Sequence, residues 1–299
     1  MRWIVAVVAG SLLFAALFPA LAGVERLDRV AVTDGIATWN EALLMRYEAL
    51  EAEGLPEDGY LECRMIEEIE RVYLCASRDS GDMNRALMRA SVYVEGLDGN
   101  PRGTILDPES PVLAKIAADT AGHDLKREDL LRFYEDLQGR CEQEPELCPT
   151  PHERALFEGY ILPLAEDESP FVVIAYPVIV ERAGQSWHWI VSHEVLHAQY
   201  FMQPEYRATV DQFWRHQVAD ADKAFVKRFL GQSYDVSDEL LLINEFQAYT
   251  LQAGNENNKI PFIFRYRKKI EAALAALGKP ELKPIQVLDT AATSAPGVR

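Results

Sequence analysis

Three residues in the second half of the chain have the types and the spacing needed to bind and use a metal ion. His193, Glu194 and His197 form the pattern HExxH. On a helix, residues four apart lie on one face about one turn along the axis, so both imidazoles can reach a single zinc ion. Glu194 lies beside them, where a carboxylate can take a proton from a zinc-bound water. The pattern predicts a site for one zinc ion that hydrolyses an amide bond, with a peptide or protein as the expected substrate.

A catalytic zinc ion usually has three protein ligands and one open position, so a third ligand is needed. The extended pattern HExxHxxGxxH is excluded, because positions 200 and 203 are Tyr200 and Gln203. His216 is a candidate, although its charged and polar neighbours favour a place on the surface. Glu245 is the stronger candidate, because it lies among apolar residues and a buried carboxylate is costly unless it is paired or binds a metal. The alternative for Glu245 is an ion pair with a basic residue between positions 265 and 269.

The pattern HExxH, followed on a later helix by Asn244-Glu245-x-x-Ala248, resembles the gluzincin group of zinc metallopeptidases. This resemblance implies that His193, His197 and Glu245 are the zinc ligands and that Glu194 is the general base. It also implies a zincin-like fold. Position 249, where thermolysin-like members of the group have a second carboxylate, is a tyrosine in this chain.

Amide hydrolysis also needs a hydrogen-bond donor for the oxyanion that develops in the transition state. Tyr249 shares a helix face with Glu245, and Tyr200 lies about one turn after His197, so both are candidate catalytic residues. His188 is a third candidate donor. Each phenol could instead belong to the hydrophobic core.

The apolar and polar pattern predicts an α+β protein, mostly helical, with a small mixed sheet. The HExxH helix is apolar nearly all round, which is typical of a buried helix. Residues 171–180 form an apolar, β-branched run interrupted by Pro177, and proline cannot donate to a strand ladder. We therefore expect an edge strand just before the HExxH helix, where an extended peptide could bind by strand addition. The alternative is an ordinary core strand that ends near the proline.

Other segments carry weaker signals. Residues 60–76 fit either a hairpin clamped by cysteines or a helix, and residues 91–95 are predicted to form a strand because they are β-branched or aromatic. Residues 210–230 are predicted to form one helix with a buried stripe. His123 is expected in a solvated loop.

The beginning of the chain has the three parts of a secretory signal peptide. Met1-Arg2 is followed by an apolar run over residues 3–18 and by the small residues Ala20 and Ala22. We expect cleavage after Ala22 and a soluble mature protein in the periplasm or outside the cell. The alternative is an uncleaved membrane anchor. Residues 23–289 are expected to form one main domain, with a helical portion over 23–170 and the metal site in 171–289. Residues 290–299 are expected to be a disordered tail.

Export makes the four cysteines informative, because disulfides persist in oxidising compartments. Local closure favours the pairs Cys63–Cys75 and Cys141–Cys148 as structural disulfides. The formal net charge of -17 opposes binding to nucleic acid or to anionic lipid. The sequence therefore predicts an exported zinc metallopeptidase. Two alternatives stay open, a non-catalytic zincin-like binding or assembly factor and a zinc hydrolase of a non-peptide amide such as a cell-wall cross-link.

Overall fold

The structure, a computed structural model, describes residues 27–54, 61–181, 185–231, 234–252 and 261–287. The expected signal peptide (residues 1–22) and the expected tail (residues 290–299) lie outside these ranges. None of the helices in the described part of the chain is both long enough and apolar enough to cross a membrane.

A five-stranded mixed sheet lies at the centre of the fold, and helices cover both of its faces. The strand order is β1-β2-β3-β5-β4. The pairs β1–β2 and β3–β5 are parallel, and the pairs β2–β3 and β5–β4 are antiparallel. The strands span β1 (Arg29–Val30), β2 (Leu61–Ile66), β3 (Val72–Ser77), β4 (His123–Lys126) and β5 (Val172–Pro177).

Helices make up most of the described chain, which confirms the expected mostly helical α+β class. They span α1 (Ile36–Glu53), α2 (Ser80–Glu95), α3 (Pro111–Asp119), α4 (Arg127–Cys141), α5 (Pro151–Leu156), α6 (Leu162–Leu164), α7 (Trp187–Met202), α8 (Pro204–Gln217), α9 (Asp220–Leu230), α10 (Glu239–Leu251) and α11 (Pro261–Ala275). A π-helical turn (Phe157–Ile161) joins α5 to α6.

Both expected disulfides are present. Cys63 and Cys75 lie directly opposite each other in the β2–β3 hairpin, with an S–S distance of 2.01 Å. The segment 61–77 is therefore the hairpin and not the helix. Cys141 and Cys148 close a short loop after α4. The two pairs fit an extracellular protein.

The strand before the HExxH helix is internal, so the expectation of an edge strand there was wrong. β5 lies between β3 and β4, and the edge next to the helix is formed by β4. The Val172 and Val178 N–H groups donate toward β3. Alternation along the strand then directs the Pro177 nitrogen toward β4. The β4 ladder ends earlier, where His123 pairs with Ala175, so the missing donor costs no ladder bond.

Two other predictions from local propensity were wrong. Residues 91–95 are the last turn of α2, whose first turn is capped by the Asp79 side chain. The buried face of this helix extends to Val92 and Tyr93, and this packing outweighs their β-propensity. Residues 210–230 form two helices, because the chain is extended at Val218 and Ala219 between α8 and α9.

Alternate residues of the sheet face two different cores. Leu125, Val173 and Ala175 face α2, α4 and α5, while Val172 and Ile174 face α1 and α7. The side chain of Asp124, next to Leu125, consequently points to the α7 side. A third core joins α7 to the helices α8–α11. The helix α7 is therefore held between the sheet and the C-terminal helices.

A buried histidine fixes β4 against α2 and α3. His123 is 3% exposed, so the expected solvated loop was wrong. Its Nε2 donates to Asn84 Oδ1 at 2.9 Å, because the Asn84 amide nitrogen is committed to the Ala117 carbonyl. Its Nδ1 then accepts from the Ser91 hydroxyl at 2.7 Å. These contacts hold the imidazole neutral, and burial lowers the pKa of His123 to about 3.

This neutral imidazole predicts a pH-dependent stability. Between the ordinary pKa of 6.5 and the folded pKa of about 3, the unfolded state binds a proton at His123 that the folded state does not. The contribution of His123 therefore weakens the fold as pH falls through this window, by up to about 1.4 kcal/mol per pH unit. In urea unfolding from pH 7 to pH 4, His123→Asn is expected to be less stable at pH 7 and to have a shallower dependence on pH. His216→Asn, at an exposed position, is the control and keeps the wild-type dependence. Equal slopes for wild type and His123→Asn would contradict a buried neutral His123.

Candidate metal centre

The HExxH residues lie on α7, whose two flanks are committed to packing. The helix begins after Ser186, whose hydroxyl accepts from the Trp189 N–H at 3.2 Å. On one flank, apolar side chains such as Val191 and Val195 pack on the sheet, and on the other Leu196 packs on the C-terminal helices. The polar residues of the pattern are left facing the cavity between α7, α10 and β4.

The carboxylate of Glu245 is brought to α7 by the packing of α10. This helix begins after Asp238, whose side chain accepts from the Leu240 and Leu241 N–H groups. The buried Gln247 donates to the Leu196 carbonyl of α7 at 3.1 Å and accepts from the Tyr206 hydroxyl at 2.8 Å. These bonds fix the register of α10 against α7.

The three expected ligands converge. Glu245 Oε2 lies 3.5 Å from His193 Nε2, and Glu245 Oε1 lies 3.8 Å from His197 Nε2. Ligands at 2.0–2.1 Å around a tetrahedral zinc ion are separated by about 3.3 Å from one another, so these distances are close to those of a zinc site. Within the described residues, no group hydrogen-bonds the buried Glu245 Oε2. The donor set and this unsatisfied oxygen fit a zinc ion.

A glutamine orients the first histidine. The Gln252 amide nitrogen donates to the Trp189 carbonyl at 2.7 Å, so its Oε1 accepts from His193 Nδ1 at 3.2 Å. With the proton on Nδ1, the Nε2 lone pair of His193 faces Glu245. Hydrogen bonds of this kind set the tautomer of metal-binding histidines.

The ionisable groups of the site perturb one another. Burial opposes the charged form of His193, but the Glu245 carboxylate outweighs this effect and raises the pKa of His193. Burial also raises the pKa of Glu245, but the two imidazoles outweigh it, and the net shift is downward. Burial lowers the pKa of His197 to about 4. The site thus favours a deprotonated Glu245 and a neutral His197, which are the forms that bind a metal.

Glu194 lies in the same cavity, and its carboxylate packs against the backbone at Gly122. Burial raises its pKa to about 7; the Glu245 carboxylate adds to the rise, and His193 opposes it. A Cβ atom built on Gly122 would lie 2.5 Å from Glu194 Oε1 and 2.8 Å from Ile190 Cγ2. Only a glycine at position 122 therefore leaves room for this carboxylate.

The other candidates from the sequence have different positions. Tyr249 lines the cavity, and its ring centroid is 4.6 Å from that of His193. Tyr200 is buried in the third core and donates to Asp211 Oδ1 at 2.5 Å, so the structure does not bring it to the cavity. His188 Nε2 is bonded to the Val287 carbonyl at 2.6 Å. His216 is exposed on α8, away from the three ligands.

The proposed ion-pair alternative for Glu245 finds no support in the described residues. Arg265 pairs with Asp222, and Lys269 lies over the Tyr266 ring. Among the described residues, the basic side chains within 4.0 Å of the Glu245 carboxylate are those of His193 and His197.

Three residues of the cavity were not predicted from the sequence. Glu95 ends α2, Asp124 lies on β4, and Tyr234 lies in the loop between α9 and α10. Burial, reinforced by nearby carboxylates, raises the pKa of Glu95, of Asp124 and of Tyr234 well above their ordinary values. No motif marks these residues, because their proximity to the histidines depends on the strand order and on how the helices pack.

The cavity has a volume of about 510 Å³. A second group of possible metal-binding atoms, from Asp124, Glu194 and His197, lies within 4.8 Å of one another. This group shares His197 with the first. One imidazole nitrogen binds one ion, and His197 Nε2 faces Glu245, so the two groups cannot both bind an ion through this nitrogen.

Comparison of the chain with protein-family models, with curated proteins and with solved structures finds no match.

The metal centre predicts the zinc content of variants. Wild-type protein dialysed against trace zinc is expected to retain about one ion per chain, measured by elemental mass spectrometry. Glu245→Gln and His193→Ala are expected to lose most of it, and chelation is expected to lower the melting temperature of the wild type only. His216→Ala is the control and retains its zinc. Retention of wild-type zinc content and affinity by Glu245→Gln would remove Glu245 from the ligand set.

The close approach of the Gly122 backbone to Glu194 predicts the effect of adding a side chain at position 122. Gly122→Ala must displace Glu194, Ile190 or the β4 backbone, and is expected to cost about 1–3 kcal/mol in urea unfolding. Its zinc content should stay near that of the wild type, because the atoms nearest the added Cβ belong to Glu194 and Ile190 and not to the three ligands. Gly139→Ala on α4 is the matched control, since its Cβ would meet nothing within 4 Å. That change is expected to be neutral or slightly stabilising. Equal stability of both variants would contradict the described packing.

Proposed function

We propose that the chain is a zinc-dependent peptidase. The observation that carries this proposal is the convergence of His193, His197 and Glu245 in a cavity that also holds the unpaired carboxylate of Glu194. A purely structural zinc site has four protein ligands and needs no base. In the described part of the chain three ligands converge, and a carboxylate with a pKa of about 7 lies beside them.

When bound, a zinc ion would polarise the scissile carbonyl and lower the pKa of a coordinated water. Glu194 accepts a proton from the attacking water and delivers it to the leaving amine, because its carboxylate lies in the same cavity as the three ligands. Tyr249 and Tyr234 line the cavity and are candidate donors to the oxyanion. Burial keeps the Tyr234 phenol protonated, as a donor must be.

The position of β4 at the edge of the sheet favours a peptide over a smaller amide. His123 and Leu125 direct their backbone groups to β5, so alternation directs those of Asp124 away from the sheet. An extended peptide can pair with this edge while its scissile bond lies over α7. The peptide-binding edge strand expected at residues 171–180 is therefore proposed to be β4. Export, inferred from the sequence and consistent with both disulfides, would place the activity in the periplasm or outside the cell.

The proposal is tested with zinc-loaded wild type and with Glu194→Gln on a broad library of quenched fluorescent peptides. Wild type is expected to cleave a subset of the peptides. Glu194→Gln is expected to lose about 10²–10⁴-fold in kcat/KM while retaining its zinc, because a positioned general base contributes rate enhancements of this size.

Glu48→Gln, an exposed change on α1, is the matched control and should keep wild-type activity. Activity of Glu194→Gln at the wild-type level would contradict the role of this residue. If zinc-loaded wild type cleaves no peptide, the peptidase is excluded. A cell-wall amide hydrolase and a non-catalytic binding factor are then separated by assaying cell-wall fragments.

A further inference from the structure

The walls of the cavity beside the metal centre hold more carboxyl groups than basic groups. Its walls include one basic residue, Lys115, and five carboxylates: Glu95, Asp119, Asp124, Glu194 and Glu245. One divalent ion bound at Glu245 would leave carboxyl groups of this cavity uncompensated. A cavity lined by one sign of charge concentrates ligands of the opposite sign.

Glu95 and Asp124 have no part in the proposed chemistry. Arg102 acts electrostatically on Glu95, and Lys126 acts on Asp124, but both basic side chains pair with other carboxylates. Arg102 pairs with Asp238 at 2.7 Å, and Lys126 pairs with Glu128 and Asp129 at 3.1 Å each. Within the described residues, neither Glu95 nor Asp124 forms an ion pair or a hydrogen bond through its carboxylate.

Their positions place two carboxyl groups, which a bound cation would keep ionised, next to the proposed reaction site. Asp124 lies on the free edge of β4, and its carboxylate is within 4.8 Å of ligand atoms of Glu194 and His197. Glu95 is the last residue of α2, where the helix dipole adds negative potential. The bond between Ser91 and His123 ties the end of α2 to the start of β4, which fixes the two carboxylates relative to each other.

One buried group of the cavity also lacks a partner. Glu194 is 6% exposed, and no described residue hydrogen-bonds its carboxylate. An unpaired buried carboxyl group is costly, so this cavity favours a cationic occupant beyond the protein itself.

A second metal ion is the less favourable occupant. It would need His197 and Glu194, which the first ion and the proton transfers already use. An organic cation needs only charge and hydrogen-bond acceptors, and Glu95 and Asp124 supply both.

We propose, building on the peptidase function above, that Glu95 and Asp124 bind a cationic group of the substrate. The group is an ammonium or a guanidinium, and its source is either a Lys or Arg side chain next to the scissile bond or a free α-amino group. The chain therefore acts on basic peptides.

The activity test uses pairs of peptides that differ only in Lys or norleucine at one position, each with a free and an acetylated amino terminus. Wild type is expected to prefer Lys over norleucine by about tenfold in kcat/KM, or free over acetylated termini if the α-amine is the source. Glu95→Gln and Asp124→Asn each reduce this ratio, chiefly through KM. Glu95→Lys is expected to shift the preference toward Glu-containing peptides, a gain that misfolding cannot produce. Glu48→Gln keeps the wild-type ratio and controls for net charge.

The binding test uses the zinc-loaded Glu194→Gln chain and titration calorimetry with the same peptides, so that no turnover is needed. Tighter binding of the basic peptide by about tenfold, lost on adding Glu95→Gln, supports the proposal even if wild type cleaves nothing. Cleavage of charged and uncharged peptides at equal rates would overturn the proposal and leave the peptidase intact. Two zinc ions per wild-type chain, with one lost in Asp124→Asn, would overturn it in favour of a second metal ion.

Discussion

The structure depends on keeping four ionisable side chains in one buried place. His193, Glu194, His197 and Glu245 are each less than 10% exposed. Removing an ionised group from water costs several kcal/mol even after relaxation, and only pairing of good geometry offsets this cost. The close contacts of Glu245 with the two imidazoles offset part of this cost, and a divalent cation would offset more. The surrounding packing is what prevents the site from relaxing into water.

That packing uses rigid elements from both halves of the chain. The apolar flank of α7 packs on the sheet, and the buried Gln247 of α10 donates a hydrogen bond to the α7 backbone. Gln252 and the Trp189 carbonyl then set the ring orientation of His193. A ligand set on helices fixed in this way is positioned before any ion binds, which favours tight and selective coordination.

The opposite wall of the cavity has a different origin. It is built from the end of α2, from α3 and from β4, and His123 fastens these elements together behind the cavity. Gly122 lets the β4 backbone approach Glu194 more closely than any side chain would permit. The proposed catalytic groups from one half of the fold thus face a wall with several carboxyl groups from the other half. The interplay of the two halves gives the cavity both its proposed chemistry and its charge.

The sequence by itself determined the local part of this site. The spacing of His193 and His197 places them on one helix face, and the apolar neighbours of Glu245 mark it as a carboxylate that needs a partner. The short separations within the cysteine pairs selected both disulfides. Each of these inferences depends on residues close in sequence or on apolar residues that recur with the period of a helix. Such patterns can be recognised without knowledge of the fold.

Only the tertiary structure decided which segments meet around that site. The proline that suggested an edge strand lies past the end of the β4 ladder, and strand order made β4 the edge instead. Asp124, Glu95 and Tyr234 carry no motif, and His123 reads as an ordinary polar residue until Ser91 and Asn84 enclose it. These residues come together through non-local strand pairing and helix packing. Contacts between residues far apart in sequence produce no periodic pattern from which they could be predicted.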